Sequence, residues 1–396
     1  MSKATIDDID VAGKRVLLRV DFNVPLRDGK IGDDARIRAA LPTIAGLRER
    51  GARIVIATHL GRPGGVPDAA LSVRPVAGRL GELLHAEVAV ADDVVGPSAR
   101  ALVDGLRNGE VGMLENVRFE PGEEKNDADL AAGLAALADV FVNDAFGAAH
   151  RAHASTEGVA HHLPAVAGRL MARELEVLGS VLDKPKRPLV AILGGAKIST
   201  KLGVLTHLLA RVDALHVGGA MACTFYRAQG RTTGRSLVEE DQVAVAHDVL
   251  TSTAGRTLVL PVDVVVADAA TAGATTQTVA WDAIPDDRMV VDIGPKSRVA
   301  ITASFREAGT VVWNGPLGIY EVDAFAHGTR EVARALGESP AFSVVGGGDL
   351  GAAVEDAGVA DRIDFISTGG GATLEFLEGR TLPGVAALRD REAVPG

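Results

Sequence analysis

The chain has a single cysteine, Cys223, in 396 residues, so an internal disulfide and a multi-cysteine zinc site are both excluded. It also lacks a basic excess: 41 Lys and Arg stand against 52 Asp and Glu, for a net charge of −11. Sequence-independent nucleic-acid binders present a basic surface, so no nucleic-acid partner is expected. Long hydrophobic runs are missing as well, every apolar stretch being broken by Asp, His or Gly well before the ~18 residues of a membrane span. The first ten residues, Met1 to Asp10, put acids where a secretory signal needs an apolar core, and a cytoplasmic location is expected. No repeat of solenoid length occurs, only a coarse likeness between two halves. At ~150 residues per domain the length suggests two to three domains, and two is the working expectation.

Glycine is plentiful, with 46 residues against a usual share of ~7%, and it follows no collagen period. Short β-branched runs recur through the first half: 15–20, 52–58, 87–90, 111–114 and 139–143. They read as strands buried on both faces, and helical spacing between several of them (35–50, 128–138) makes strand and helix alternate. Such alternation implies a parallel α/β sheet. The second half repeats the scheme at 189–193, 214–217, 257–260, 310–313 and 342–345. Between the halves, Leu170, Met171, Leu175, Leu178, Val181 and Leu182 mark a helix that the Pro185 to Pro188 segment stops, so a boundary is expected near 185.

In a parallel sheet, ligands bind beyond the carboxyl ends of the strands. In the first half those ends carry Asp21 and Asn23, then His59, Leu60, Gly61 and Arg62, then Arg118, then Asp144 to Arg151. Arg62, Arg118 and Arg151, joined by Arg36 from the turn at 33–36, form a cationic pocket in an acidic protein, and planar guanidiniums bind phosphate and carboxylate in paired hydrogen bonds. Taken singly, each arginine is better explained by a surface acid beside it, and it is the four together that point to a binding site. His59 reads as a hydrogen-bond donor within this pocket.

In the second half the strand ends are almost all glycine: Gly194-Gly195, Gly218-Gly219, Asn314-Gly315, Gly346 to Gly348 and Gly369 to Gly371. Glycine lets backbone N–H groups approach phosphate closely, so a nucleotide site is inferred. Lys197 and Lys201, four apart, are expected on one helix face with both ammonium groups in reach of the phosphates. No P-loop pattern is present. Gly346, Gly348 and Gly351 match a dinucleotide fingerprint, but the next strand region ends in Ser367-Thr368 where an acid for the ribose is expected. Asp349 suits Mg²⁺ better, since that ion takes one carboxylate plus the phosphates.

The chain closely resembles the phosphoglycerate kinase family, almost end to end. The most specific segments are Arg19-Val20-Asp21-Phe22-Asn23-Val24-Pro25, His59-Leu60-Gly61-Arg62-Pro63, Asp144-Ala145-Phe146-Gly147, Leu193-Gly194-Gly195-Ala196-Lys197, Trp313-Asn314-Gly315-Pro316 and Ser367-Thr368-Gly369-Gly370-Gly371-Ala372. The resemblance implies two doubly wound, Rossmann-like α/β domains joined by a hinge helix. The expected bounds are a 3-phosphoglycerate-binding domain over 1–169, helix and linker over 170–186, a nucleotide-binding domain over 187–380 and a tail over 381–396 returning to the first domain. It implies that Asp21, Asn23, Arg36, His59, Leu60, Gly61, Arg62, Arg118 and Arg151 bind the phosphoglycerate. For ADP or ATP it implies Gly194, Gly195, Lys197, Lys201, Gly218, Gly219, Asn314, Glu321, Gly347, Gly348, Asp349 and Leu350, with Mg²⁺ on Asp349. Arg36, Lys197 and Lys201 are implied catalytic groups, and Gly370 and Gly371 backbone donors to the group in transfer.

The sequence departs from the family pattern at Leu350, where Thr or Ser is usual, at Val290, where Gly is common, at Thr200, where Asp is frequent, and at Ala222-Cys223. The implied reaction is reversible, Mg²⁺-dependent phosphoryl transfer between 1,3-bisphosphoglycerate and ADP in a monomer that closes at its hinge. Two alternatives stay open: an NAD-dependent oxidoreductase using the Gly346 loop, and an ATP-binding module without catalysis.

Overall fold

In the computed structural model, which describes residues 2–27, 29–252 and 257–391, the chain divides into two units, Met1–Glu176 with Thr381–Gly396 and Val177–Arg380. The division falls inside one helix, Arg169–Asp183. Both units are parallel-sheet α/β structures, as the alternation of strand and helix predicts.

Unit 1 holds six parallel strands: β1 (Arg15–Arg19), β2 (Arg53–Ala57), β3 (Val88–Val90), β4 (Val111–Met113), β5 (Val140–Asn143) and β6 (Ala165–Ala167), in the spatial order β3-β4-β2-β1-β5-β6. Residues 16–18 and 54–56 have no exposed surface, because helices such as Ala35–Glu49 and Arg74–Leu84 pack on the sheet. β6 is not visible in the sequence: Ala-Val-Ala has no β-branched run, and the strand is specified by its pairing with β5, Phe141 opposite Ala165 through Asn143 opposite Ala167.

Unit 2 contains β7 (Leu189–Leu193), β8 (Ala214–Val217), β9 (Leu258–Val259), β10 (Asp263–Ala267), β11 (Thr276–Ala280), β12 (Met289–Ile293), β13 (Thr310–Asn314), β14 (Phe342–Gly346) and β15 (Phe365–Ser367). Its main sheet runs β9-β8-β7-β13-β14-β15, all parallel, with a separate antiparallel sheet β11-β10-β12 that the sequence does not announce. The winding reverses between β1 and β5 in unit 1 and between β7 and β13 in unit 2, and a ligand crevice forms at such switch points. No helix among the described residues is long and apolar enough to cross a membrane.

One core group in unit 2 is chemically out of place. His216 on β8 is only 4% exposed, and neither ring nitrogen has a hydrogen-bond partner among the described residues. Burial pushes its pKa from 6.5 down to about 4. Between those values the unfolded chain binds a proton that the folded chain does not, so stability is lost as pH falls through this window. His216→Phe is expected to be more stable than the parent, by a margin that widens as urea unfolding is repeated from about pH 7 down to about pH 4.5. A margin that does not change with pH contradicts this reading.

Candidate active site

At the carboxyl ends of the unit 1 strands the loops after the neighbouring β1, β2 and β4 are bonded to one another. Asn23 Oδ1 accepts from the Gly61 N–H at 2.9 Å, and Arg118 Nη1 donates to the Gly61 carbonyl at 2.8 Å. Asn116 holds Leu60 on both sides, donating to its carbonyl at 2.8 Å and accepting from its N–H at 3.2 Å. Gly61 has φ +64°, and a Cβ there would meet the Leu71 side chain at 2.7 Å, so only glycine fits this turn.

The arginines project from this frame. Arg36, in the first turn of helix Ala35–Glu49, pairs with Asp21 at 2.8 Å, and the buried Arg118 meets Glu124 at 3.3 Å. Arg62 and Arg151 are exposed and pair with no carboxylate among the described residues, Arg151 contacting only the His150 ring at 3.3 Å. Ordinary surface ion pairing therefore accounts for two of the four.

Charge and burial set the protonation states. Burial raises the pKa of Asp21, but His59, Arg36 and Arg19, with the Asn23 N–H, outweigh it and hold the carboxyl below its usual range. Burial, with Arg19, Arg118 and Arg36 adding to it and Asp21 opposing, pushes His59 down to about 3, so its imidazole is neutral at pH 7. Arg118 is shifted downward by burial, with Glu124 and Glu123 opposing and Arg151 adding to the shift. It remains a cation, as arginine does in proteins. The result is a concentration of fixed positive charge beside hydrogen-bond donors, which suits a small polyanion.

At the switch point of unit 2 a cleft of about 560 Å³ opens, a size suited to a small-molecule ligand. Its lining comprises Gly195, Gly219, Gly315, Gly347, Gly348 and Gly370 as one chemical set, and Leu237, Met289, Val290, Val291, Ile319 and Leu374 as another. The backbone segments after β7 and β13 approach so closely that a Cβ on Gly194 would lie 2.0 Å from the Pro316 carbonyl oxygen. Lys201 is the buried cation of the cleft. Its Nζ donates to Asn314 Oδ1 at 2.7 Å and to the Asn314 carbonyl at 3.3 Å, while Asn314 Nδ2 donates to the Gly346 carbonyl at 2.8 Å. Burial pushes Lys201 down to about 8 and Asp349 pulls it back up, so the ammonium persists at neutral pH.

Asp349 is exposed in the first turn of helix Gly348–Asp356, and Glu321 is exposed on the same lining. No group of three His, Cys, Asp or Glu able to hold a metal occurs among the described residues. A lone exposed carboxylate fits Mg²⁺ arriving on phosphates rather than a resident metal. Leu350 lines the cleft too, but its side chain belongs to the apolar core.

One local expectation fails. Lys197 and Lys201 do not share a helix face, because the helix begins at Leu202 and residues 194–201 form a loop. That loop is pinned by Glu239, which accepts from the Ser199 N–H at 3.0 Å and from its hydroxyl, and by Thr200 Oγ1 donating to the Lys197 carbonyl at 2.9 Å. Lys201 is thereby buried while Lys197 is exposed and outside the cleft lining. Gly194, Gly218 and Gly371 also stand outside it.

Other participants are missed in the sequence. Asp292 is buried on the cleft, accepting from the Gly328 N–H at 2.7 Å and the Ile293 N–H at 2.8 Å, and burial raises it to about 7. Arg19 is buried beside His59. Its sequence signal is a charged residue inside an otherwise apolar strand, residues 16–20.

The family model described as phosphoglycerate kinase matches residues 6–380. The phosphoglycerate kinase of Chloroflexus aggregans is 56% identical over 400 residues, covering 99% of this chain and 100% of the relative, and that of Pelotomaculum thermopropionicum is 54% identical over 393 residues with the same coverage. Among solved structures, phosphoglycerate kinase from Coxiella burnetii superposes with a TM-score of 0.87 at 41% identity, covering 97% of this chain and 98% of that one.

The close approach at Gly194 makes a paired prediction. Gly194→Ala is expected to lower the thermal unfolding midpoint strongly, by a cost above about 3 kcal/mol, because its Cβ would strike main-chain atoms that have nowhere to move. Gly348→Ala, whose Cβ would meet nothing within 4 Å, is expected to leave the midpoint nearly unchanged. Equal shifts for the two variants contradict the packing argument.

Proposed function

The chain belongs to the phosphoglycerate kinase family, and on that premise we propose that the arginine pocket of unit 1 takes the phosphoglycerate and the glycine-lined cleft of unit 2 the nucleotide. The family is glycolytic, and its members transfer phosphate to a carboxyl group. In the direction that uses ATP, a carboxylate oxygen of 3-phosphoglycerate attacks the terminal phosphorus. The bond from that phosphorus to its bridging oxygen breaks, leaving 1,3-bisphosphoglycerate and ADP. A carboxylate is already ionised at neutral pH, so no general base is needed, and the neutral His59 serves as a donor.

The observation that carries this reading is the set of guanidiniums at the strand ends of unit 1, where Arg118 and Arg36 act on His59, Arg151 acts on Arg118, and Arg62 and Arg151 pair with no carboxylate among the described residues. In the proposed roles, Arg36, Arg62, Arg118, Arg151, His59 and Asn23 hold the phosphoglycerate, and Asp21 orients Arg36. Lys201 and the glycine N–H groups hold the nucleotide phosphates, with the apolar lining against the base. Arg36, Lys197 and the N–H groups of Gly370 and Gly371 neutralise the group in transfer, so catalysis is mostly alignment and charge stabilisation. Asp349 would hold Mg²⁺, which when bound withdraws charge from the phosphate oxygens.

Each reactant is assigned to a different unit, so transfer includes a step that brings the two together, with helix Arg169–Asp183 as the hinge. A cytoplasmic monomer is part of the same proposal.

The test is a coupled assay supplying 3-phosphoglycerate and MgATP with a dehydrogenase that consumes the acyl phosphate. Turnover is expected in the parent, and a loss of about 100-fold or more in kcat/KM in Arg36→Ala and in Lys201→Ala. Both ligands bound without turnover would leave only a binding module, and NADH bound in place of ATP would favour an oxidoreductase.

A further inference from the structure

Behind the arginine pocket lies a buried polar chain that the transfer chemistry does not use. Glu123 has no exposed surface, and its carboxylate accepts from the Ser155 N–H at 3.0 Å and from the Ser155 hydroxyl at 2.5 Å. Burial raises the Glu123 pKa, and the charge of Arg19 and the bonds from Ser155 oppose that rise. The Ser155 hydroxyl has a single proton, which goes to Glu123, so its oxygen is left to accept from Arg19 Nε at 2.8 Å. Arg19, 1% exposed, also donates from Nη1 to the Val20 carbonyl, and its Nη2 lies 3.2 Å from His59 Nδ1.

Direction follows from the chemistry of each group. Arginine has five donors and no acceptor, so the His59 Nδ1 facing it must be the bare nitrogen, and the imidazole proton must sit on Nε2. Nε2 stands 3.9 Å from Asp21 Oδ1, too far for a hydrogen bond, while Asp21 is engaged by Arg36 at 2.8 Å. The Nε2–H is therefore free for a ligand oxygen.

We propose that Glu123, Ser155 and Arg19 form a one-way hydrogen-bond relay that locks His59 as the Nε2–H tautomer, making Arg19 a positioning residue for phosphoglycerate recognition. The proposal rests on the assignment of the unit 1 pocket to the phosphoglycerate. A second proton on Nδ1 would point at the Arg19 N–H, so the ring is barred from becoming a cation even beside Asp21. The charged groups around it are Asp21, Arg19, Arg118 and Arg36, three of the four positive. In such company a neutral, directed donor adds a hydrogen bond to the ligand without adding repulsion between cations. The relay also predicts that ligand affinity carries no histidine titration near the ordinary pKa of ~6.5.

The test is nitrogen NMR of the full chain labelled at histidine, with the His59 signals assigned by their disappearance in His59→Gln. Without ligand, a bare Nδ1 and a protonated Nε2 are expected from about pH 8 to about pH 5. A protonated Nδ1, or a titration near ~6.5, overturns the relay. Ser155→Ala removes one link while leaving the pocket side chains intact. It is expected to give tautomer exchange at His59, a rise of about 3- to 10-fold in KM for 3-phosphoglycerate, a new acid-side pH dependence of that KM and a smaller change in kcat. Unchanged tautomer and pH profile in that variant also overturn it. Should Ser155→Ala fail to fold, His59→Gln, which keeps an N–H near Nε2, is expected to retain affinity better than His59→Asn, and equal losses count against the relay. Adding 3-phosphoglycerate to the parent is expected to shift the Nε2 signal. If the tautomer is as expected and no shift occurs, the pocket assignment fails while the relay stands.

Discussion

Four guanidinium groups repel one another, and a chain of net charge −11 offers many acids for them to pair with elsewhere. Arg62 and Arg118 are kept at the end of the sheet by loops bonded to one another, and Arg36 by Asp21. Gly61 is bonded on its N–H side by Asn23 and on its carbonyl side by Arg118, and Asn116 holds Leu60 in the same two-sided way. Because the loops are tied to one another, the charges they carry cannot relax apart, and the free energy of their repulsion is available to whatever anion enters. Glu124 and Asp21 offset part of it, leaving Arg62 and Arg151 for the ligand. The neutral His59 belongs to the same economy of charge.

Unit 2 meets a different anion problem by a different route. There the positive charge is one buried ammonium, Lys201, held by Asn314, and the rest of the work falls to main-chain N–H groups brought close by glycine. The distance between the segments after β7 and β13 leaves no room for a Cβ at Gly194, so the same residue type that admits phosphate also closes the switch point. On the proposed assignment, a rigid polyanion with two unlike ends would be recognised by guanidinium pairs in one unit, and a flexible chain of phosphates by backbone in the other. Both sites sit at the carboxyl ends of parallel strands, which is a property of the winding rather than of any one side chain.

Most of this was legible in the sequence because it depends on local signals: buried β-branched runs, glycine pairs at strand ends, and arginines following strands. The parts that were not legible depend on contacts distant along the chain. β6 is a strand because β5 is beside it, and residues 165–167 alone do not say so. The four-residue spacing of Lys197 and Lys201 suggested a helix, yet Glu239, far along the chain, pins Ser199 and delays the helix to Leu202. Arg19 could be suspected from its apolar surroundings, but its partners Ser155 and Glu123 are visible only once the loops are folded together.

The central claim is that each unit holds one reactant by its own chemistry, and amide hydrogen exchange with each ligand added separately tests it most directly. With 3-phosphoglycerate alone, protection is expected in the loops at 21–36, 59–65 and 116–124 and not around the unit 2 cleft. With MgADP alone, it is expected at 194–201, 314–321, 347–350 and 369–371 and not in the arginine loops. Protection by 3-phosphoglycerate of the glycine loops, or by the nucleotide of the arginine loops, would contradict the assignment of sites to units.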